Sequence, residues 1–254
     1  MLAPDEPKDD VLSLLVFSSW NNHWESREFV PRNCTPQHLS DLLPVSRYKD
    51  YTIIWKSAKY WRGSLYVHCH NNILMIVRNS QEMYDMVQLP GKPCNNEEVT
   101  FEQGLPIKSI LARYEKGIYY VAIDMFQLQV WTLSEPVDGY LAWTLMHEAN
   151  LAPYGHQLEN SDYSWNSDED NFMDVDEDTA TVGQIKYMRC KIVGLDPYKD
   201  VLLLYIFPID IAMAYHLSTS RMQCLGQTPR IGMSSFAYRP CYMDALPRTK
   251  MSLV

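Results

Sequence analysis

The chain has 254 residues, of which 46% are hydrophobic and 21% are charged. This apolar content is too high for a disordered protein, and the length suits a single all-β domain. Nine acids and no Lys or Arg lie between residues 159 and 178, and they equal the whole net charge of −9. Because the remainder is near neutral, the sequence lacks the basic surface that nucleic-acid binding requires.

The N-terminus and the apolar runs argue against export or membrane insertion. Residues 1–10 carry four acids and one Lys, the opposite of the basic start of a signal peptide. The longest apolar run, residues 201–209, is less than half of the roughly 20 residues that a membrane helix needs. Six cysteines are scattered without a C-x-x-C pair. We therefore expect reduced thiols and a cytoplasmic or nuclear location.

Short β-rich runs bounded by turn residues recur along the chain, and no 3.6-residue apolar period is long enough to predict a helix. Asn-Asn pairs at 21–22 and 71–72 favour tight turns, since Asn tolerates positive φ. The predicted strands form a partial unit followed by three fuller ones: 14–17 and 24–29; 65–69, 73–77 and 84–87; 118–123, 128–133 and 141–145; and 201–207, 212–217 and 222–225.

Repetition of small antiparallel sheets is typical of a β-propeller, which leaves only short sheet edges. On periodicity alone, an ordinary sandwich or meander with similar strands remains an alternative. In either case the sequence predicts an all-β fold.

Residues 60–69, YWRGSLYVHC, resemble the Y-W-R-G-x-L-Y-V-H-C stretch of the F-box-associated β-propeller domains of grasses. Residues 16–30 and 115–133 are similar to two further segments of that family, in the same order. Residues 165–171, WNSDEDN, resemble its acidic loop, and residues 194–201 resemble a later strand, with Asp196 where the family usually has His. We interpret position 196 as tolerant of substitution.

The resemblance spans nearly the whole chain and implies a kelch-like F-box-associated propeller domain over residues 11–246. It leaves an acidic N-terminal tail at 1–10, an acidic loop at 159–179 and a C-terminal tail at 247–254. Family members usually carry an F-box and further propeller strands before the position that residue 11 occupies here. We therefore expect a propeller, complete or incomplete, that does not bind the adaptor of SCF ubiquitin ligases by itself.

The function that the resemblance implies is a protein-interaction module, similar to the substrate-recognition domain of F-box proteins, whose partner is a protein. Two alternatives remain open at this point. One is a truncated family product with little independent function, and the other is an uncharacterised propeller enzyme.

Chemical motifs are sparse, and we expect no enzyme activity, no cofactor and no metal. His68 and His70 would share one face of a strand, but no second ligand pair has matching spacing, so packing is the preferred interpretation. The acidic stretch lacks the Gly and the terminal Glu of a calcium loop. His147 and Glu148 face opposite ways on a strand and are interpreted as rim residues.

Aromatic residues supply rigid contact area at protein interfaces, and the chain has seven Trp and 17 Tyr. Trp131 and Trp143 lie in alternating apolar strands and are expected to pack in the core. The candidate protein-binding residues lie in polar loops and are Trp20, Trp165, Asp168 and Asp170.

Overall fold

The computed structural model describes residues 11–18, 21–33, 55–69, 72–91, 109–114, 117–124, 126–135, 140–155, 172–173, 189–196 and 198–228. Within these ranges the chain forms fourteen strands and one short helix, α1, at residues 152–155. The all-β prediction is therefore confirmed. The strands are β1 (Leu12–Ser18), β2 (His23–Pro31), β3 (Trp55–Trp61), β4 (Ser64–Cys69), β5 (Ile73–Arg78), β6 (Met83–Gln88), β7 (Ser109–Tyr114), β8 (Gly117–Asp124), β9 (Gln127–Ser134), β10 (Ala142–Asn150), β11 (Arg189–Leu195), β12 (Val201–Phe207), β13 (Ile211–His216) and β14 (Arg221–Gln227).

Each of the three fuller units has one strand more than the sequence predicts. The additional strands are β3, β7 and β11, and each stands first in its unit. Antiparallel pairing then runs through β3-β4-β5-β6, β7-β8-β9-β10 and β11-β12-β13-β14. Four-stranded meanders are thus the repeating unit of the described chain.

The sequence interpretation treated the β1–β2 segment as a partial copy of the repeating unit, but this hairpin belongs to the first full unit. It extends the first sheet, whose order is β1-β2-β6-β5-β4-β3. The junction is short and parallel, with Val30 opposite Met83 and Pro31 opposite Tyr84. The hairpin is therefore an extension of the outer strand β6.

Four hairpins have in common that the residue just before the second strand has a positive φ, which lets the chain enter that strand. None of these residues is Gly, and the set is Asn22 (φ 52°), Glu82 (φ 52°), Asp210 (φ 55°) and Ser220 (φ 54°). Asn72 also has a positive φ of 59°, in agreement with the turn chemistry of its Asn-Asn pair. The β3–β4 loop, by contrast, uses the two residues Arg62 and Gly63.

The three sheets pack face to face in chain order, with the second sheet in the middle. Tyr120 of β8 packs against the first sheet, while its neighbour Val121 packs against the third. Since successive side chains of a strand point to opposite faces, β8 is buried on both sides. The first strand of the middle sheet, β7, contacts both β3 and β11. The stacking is therefore continuous from the first sheet to the third.

A β-bulge changes which side of the middle sheet β10 presents. The register shifts between Leu145 and His147, so Trp143 packs on the first-sheet side and His147 on the third-sheet side. The Nε2 atom of His147 lies 3.0 Å from the hydroxyl oxygen of Tyr215 in β13. His147 is thus a half-buried contact between two sheets and not the rim residue that the sequence suggested.

Stacked four-stranded meanders with adjoining first strands are compatible with the propeller expectation. The number of such sheets in a complete ring, and the closure of that ring, stay predictions. Among the described residues, no helix is long and apolar enough to cross a bilayer.

The contact between His147 and Tyr215 predicts a dependence of stability on pH. Burial lowers the pKa of His147 below the ordinary value of 6.5. The unfolded chain therefore binds more protons at this site than the folded chain, and the stabilising effect is present above pH 6.5 and is lost as the pH falls toward the lower folded pKa. Urea unfolding between pH 7.5 and 5 should show this fall, and it should be shallower in His147→Gln. Equal slopes for the two proteins would contradict the assignment.

Candidate functional site

One face of the β1–β2 hairpin packs on the first sheet, and the other is exposed and carries several large apolar side chains. The two strands pair from Leu12 opposite Phe29 to Ser18 opposite His23. On the inner face, Leu12 and Phe29 are buried in the core of the first sheet. The outer face exposes a group that we call the hairpin face: Leu15 (73% exposed), Phe17 (44%), Trp24 (60%) and Val30 (46%).

The two aromatic residues of the hairpin face already contact each other. Phe17 and Trp24 stand directly opposite in the register, and their ring centroids are 5.2 Å apart with planes tilted by 49°. Cross-strand aromatic pairs of this kind stabilise a hairpin and restrict the rotamers of both side chains. The contact therefore restricts the conformations of both exposed rings.

The inner face fixes the hairpin to the first sheet. Leu14 and Val16 pack on the cluster that contains Val67 of β4, Met75 of β5 and Tyr84 of β6. Backbone bonds continue the attachment beyond the short parallel junction, since Arg32 N–H donates to the Tyr84 carbonyl at 2.9 Å. The hairpin is therefore supported by both packing and hydrogen bonds.

A compact group of charges lies at the base of the hairpin, and we call it the Arg–carboxylate cluster. Its centre is Asp85, whose side chain has no exposed surface. Arg32 donates to both oxygens of Asp85 at 2.9 Å, and Arg78 Nε donates to Oδ2 at 2.7 Å. Glu135 accepts from the same two arginines, at 3.2 Å and 2.8 Å. Two guanidinium groups and two carboxylates give a neutral sum.

Hydrogen bonding keeps Arg32 charged despite its partial burial. The bonds from Arg32 to Asp85 are the largest cause of a raised pKa of Arg32, and they outweigh the opposing effect of burial. A buried carboxylate is tolerated when ion pairs and hydrogen bonds satisfy it, as they do for Asp85. Because Glu135 follows β9 of the second sheet, the cluster joins the base of the hairpin to two sheets at once.

The first and second sheets also share an aromatic seam. His68, which is fully buried, packs edge-on against Tyr120 with ring centroids 5.6 Å apart. The Tyr120 hydroxyl donates to Asn72 Oδ1 at 3.4 Å, and the Trp143 indole N–H donates to the Gln88 carbonyl at 3.1 Å. The seam is thus a packed interface between sheets.

The seam places His68 in the packing role that the sequence favoured, whereas His70 lies outside the described residues. In the part of the chain that the structure describes, no three or more His, Cys, Asp or Glu side chains are grouped as metal ligands.

The described cysteines are poor nucleophiles. Burial raises the pKa of Cys69 and of Cys190 to about 12, and it raises the pKa of Cys224 as well. All three are free thiols. Since the thiolate is the reactive form, these groups are protonated and unreactive near neutral pH.

The four binding residues chosen from the sequence, Trp20, Trp165, Asp168 and Asp170, all lie outside the described residues. Trp131 and Trp143 do pack in the seam, as predicted.

Asp196, interpreted from the sequence as a tolerant position, in fact holds a turn. Its Oδ1 accepts the backbone N–H groups of Tyr198 at 2.8 Å and Lys199 at 3.1 Å. Such a side-chain-to-backbone turn depends on a short acceptor at this position.

The sequence interpretation missed the hairpin face, although a signal was present. Residues 14–17 are four consecutive apolar residues in a strand, and only one side of a strand faces a given core. An uninterrupted apolar run in a peripheral hairpin therefore indicates that its outer side is apolar too.

No family model matches the chain, and no curated protein matches it. The likeness to F-box-associated domains accordingly depends on the quoted motifs, and it stays a prediction.

The Arg–carboxylate cluster predicts a large loss of stability for Asp85→Asn. The substitution removes the central charge and leaves Arg32 and Arg78 partly buried without it, which typically costs about 3–5 kcal/mol. The free energy of unfolding, from urea titration monitored by tryptophan fluorescence, measures this loss.

Glu135→Gln is the matched control, because its carboxylate meets the same arginines but is 38% exposed. Exposed pairs contribute about 1 kcal/mol or less, so the loss should be several times smaller. Similar losses for the two variants would show that Asp85 is not the centre of the cluster.

Proposed function

We propose that this protein is a protein-interaction module that binds a partner protein through the hairpin face. The observation that supports it is the joint exposure of Leu15, Phe17 and Trp24 on one side of a firmly held hairpin. Single exposed apolar residues are ordinary on protein surfaces, whereas contiguous apolar patches mark interaction sites. The same hairpin buries its other side, so the exposed side is free of a core role.

The chemistry of the hairpin face suits a hot spot. Binding energy at interfaces concentrates in a few large residues, with Trp and Tyr enriched, and it is greatest where they enter a desolvated pocket. The aromatic pair and the cluster at the hairpin base reduce the ordering that binding would otherwise require. We therefore propose a partner that presents an apolar groove to Phe17 and Trp24.

The motif resemblance supports a finer proposal. We propose a kelch-like F-box-associated propeller, in the cytoplasm or nucleus, that recognises a protein substrate for ubiquitin ligation. In that family the contact with the SCF adaptor belongs to the F-box, so we propose that the domain described here does not make it. We propose no catalytic role, since the buried thiols are protonated and His68 is enclosed by aromatic packing.

Trp24→Ser should weaken partner binding by at least about 30-fold, which corresponds to the roughly 2 kcal/mol threshold of a hot spot. A partner would first be captured from plant extract with the full chain and then purified, and its Kd would be measured by calorimetry. Phe17→Ser should have a similar effect, because it removes the other half of the ring pair.

Tyr198→Ser is the matched control, since Tyr198 is also an exposed aromatic residue (49%) but lies between β11 and β12. The Kd of the Tyr198→Ser protein for the partner should stay within about twofold of the Kd of the original chain. Equal affinity of the Trp24→Ser and Tyr198→Ser proteins for the partner would exclude the hairpin face. Light scattering of the chain alone tests whether the hairpin face binds a second copy of the same chain. A dimer that dissociates in the Trp24→Ser variant would show that the partner is a second copy and not a different protein.

A further inference from the structure

The outer edge of β14 pairs with a short piece of the acidic stretch. Phe172 forms an antiparallel bridge with Gln223, and Met173 N–H donates to the Met222 carbonyl at 2.8 Å. The sequence predicted a solvated acidic loop at 159–179, and within it the structure describes only these two residues. Both are docked, and we call them the Phe172–Met173 clip.

The two side chains of the clip occupy different surroundings. The Phe172 ring lies 4.3 Å from the guanidinium carbon of Arg221 and 5.1 Å from the ring of His216. Met173 points the other way and is buried in the core shared by the second and third sheets. The β14 edge thus offers one position for an aromatic ring over a cation and one for a flexible apolar chain.

The Arg221–His216 position is built by side chains of the third sheet itself. His216 Nε2 lies 3.2 Å from Gln223 Oε1, so the residue that bridges Phe172 also orients the ring beneath it. Arg221 and His216 face each other across β13 and β14 in the register. The aromatic position therefore belongs to the sheet and not to the acidic stretch.

Among the described residues, the clip pairs with β14 over a short length. β14 has seven residues and pairs with β13 along its length, but on the opposite side the described residues form a single bridge. A strand of average length adds five or six residues to a sheet. The surrounding stretch carries nine acids, whose mutual repulsion opposes close packing. A longer and less acidic strand would pair more extensively.

We propose that the β14 edge is an acceptor for an extended segment of a partner protein, which adds as an antiparallel strand. The segment carries an aromatic residue followed by a large apolar residue, and the Phe172–Met173 clip occupies the same two positions within the chain. Main-chain hydrogen bonds supply affinity in this mode, and alternate side-chain positions supply selectivity. This surface shares no residue with the hairpin face, and the proposal does not depend on it.

The test uses the full chain and a fluorescent peptide with the sequence of residues 169–176, EDNFMDVD, followed by anisotropy. The double variant Phe172→Ser and Met173→Ser lacks the side chains of the clip. It should bind the peptide at least tenfold more tightly than the original chain does. A control peptide in which Ser replaces the residues that correspond to Phe172 and Met173 should not bind. Failure of EDNFMDVD to bind the double variant better than the original chain would overturn the proposal.

A second pair of substitutions closes the site reversibly. Phe172 and Gln223 stand opposite each other as a pair that exchanges no hydrogen bonds of its own, and the α-carbons of such pairs are close enough for a disulfide. We therefore combine Phe172→Cys with Gln223→Cys. The oxidised protein should bind the peptide at least tenfold more weakly than the same protein after reduction, while Gln223→Cys alone should not respond to the oxidant. Equal binding before and after reduction would refute the shared site, even if the double Ser variant did not fold.

Trp24→Ser serves as the control that separates the two surfaces. It should leave peptide binding within about twofold of the original value, since Trp24 belongs to the first sheet. Loss of peptide binding in Trp24→Ser would show that the peptide occupies the hairpin face, and would refute the β14 site without affecting the proposed function.

Discussion

The burial of the second sheet on both of its faces is the constraint on which the rest of the architecture depends. Tyr120 packs toward one neighbouring sheet and Val121 toward the other, so β8 tolerates no solvent-facing side. The edge strand β10 also contacts both neighbouring sheets. Its bulge directs Trp143 to the interface with the first sheet and His147 to the interface with the third. Stacking in chain order then follows, and it brings β3, β7 and β11 together.

The charged groups of the Arg–carboxylate cluster are tolerated between the sheets because each carboxylate meets arginine donors. Asp85 is the extreme case, since a fully buried carboxylate is stable only when ion pairs replace its lost hydration. Its two arginines also reach Glu135, and they thereby connect the β1–β2 hairpin to the second sheet. The attachment of the hairpin to the two sheets thus depends on the charges at its base.

The two proposed surfaces would bind their partners through different interactions. The hairpin face offers side-chain area, with aromatic rings whose position is set before binding. The β14 edge offers backbone N–H and C=O groups together with two side-chain positions, and part of it is occupied within the chain. Neither requires a catalytic group. A module with one apolar face and one strand-accepting edge suits recognition of a folded protein and of an extended segment, respectively.

The sequence by itself determined the all-β class, the eleven strands with strong apolar character, the Asn turns and the packing of Trp131 and Trp143, because these depend on local alternation and turn chemistry. It did not reveal β3, β7 and β11, whose mixed sequences become strands only through pairing. Only the tertiary structure decided that Leu15 is exposed while Leu14 is covered, and that His147 meets Tyr215 after a bulge. It also brought Arg32 to Glu135 across 103 positions. A local pattern carries no information about such distant partners, since they are chosen by the packing of whole sheets.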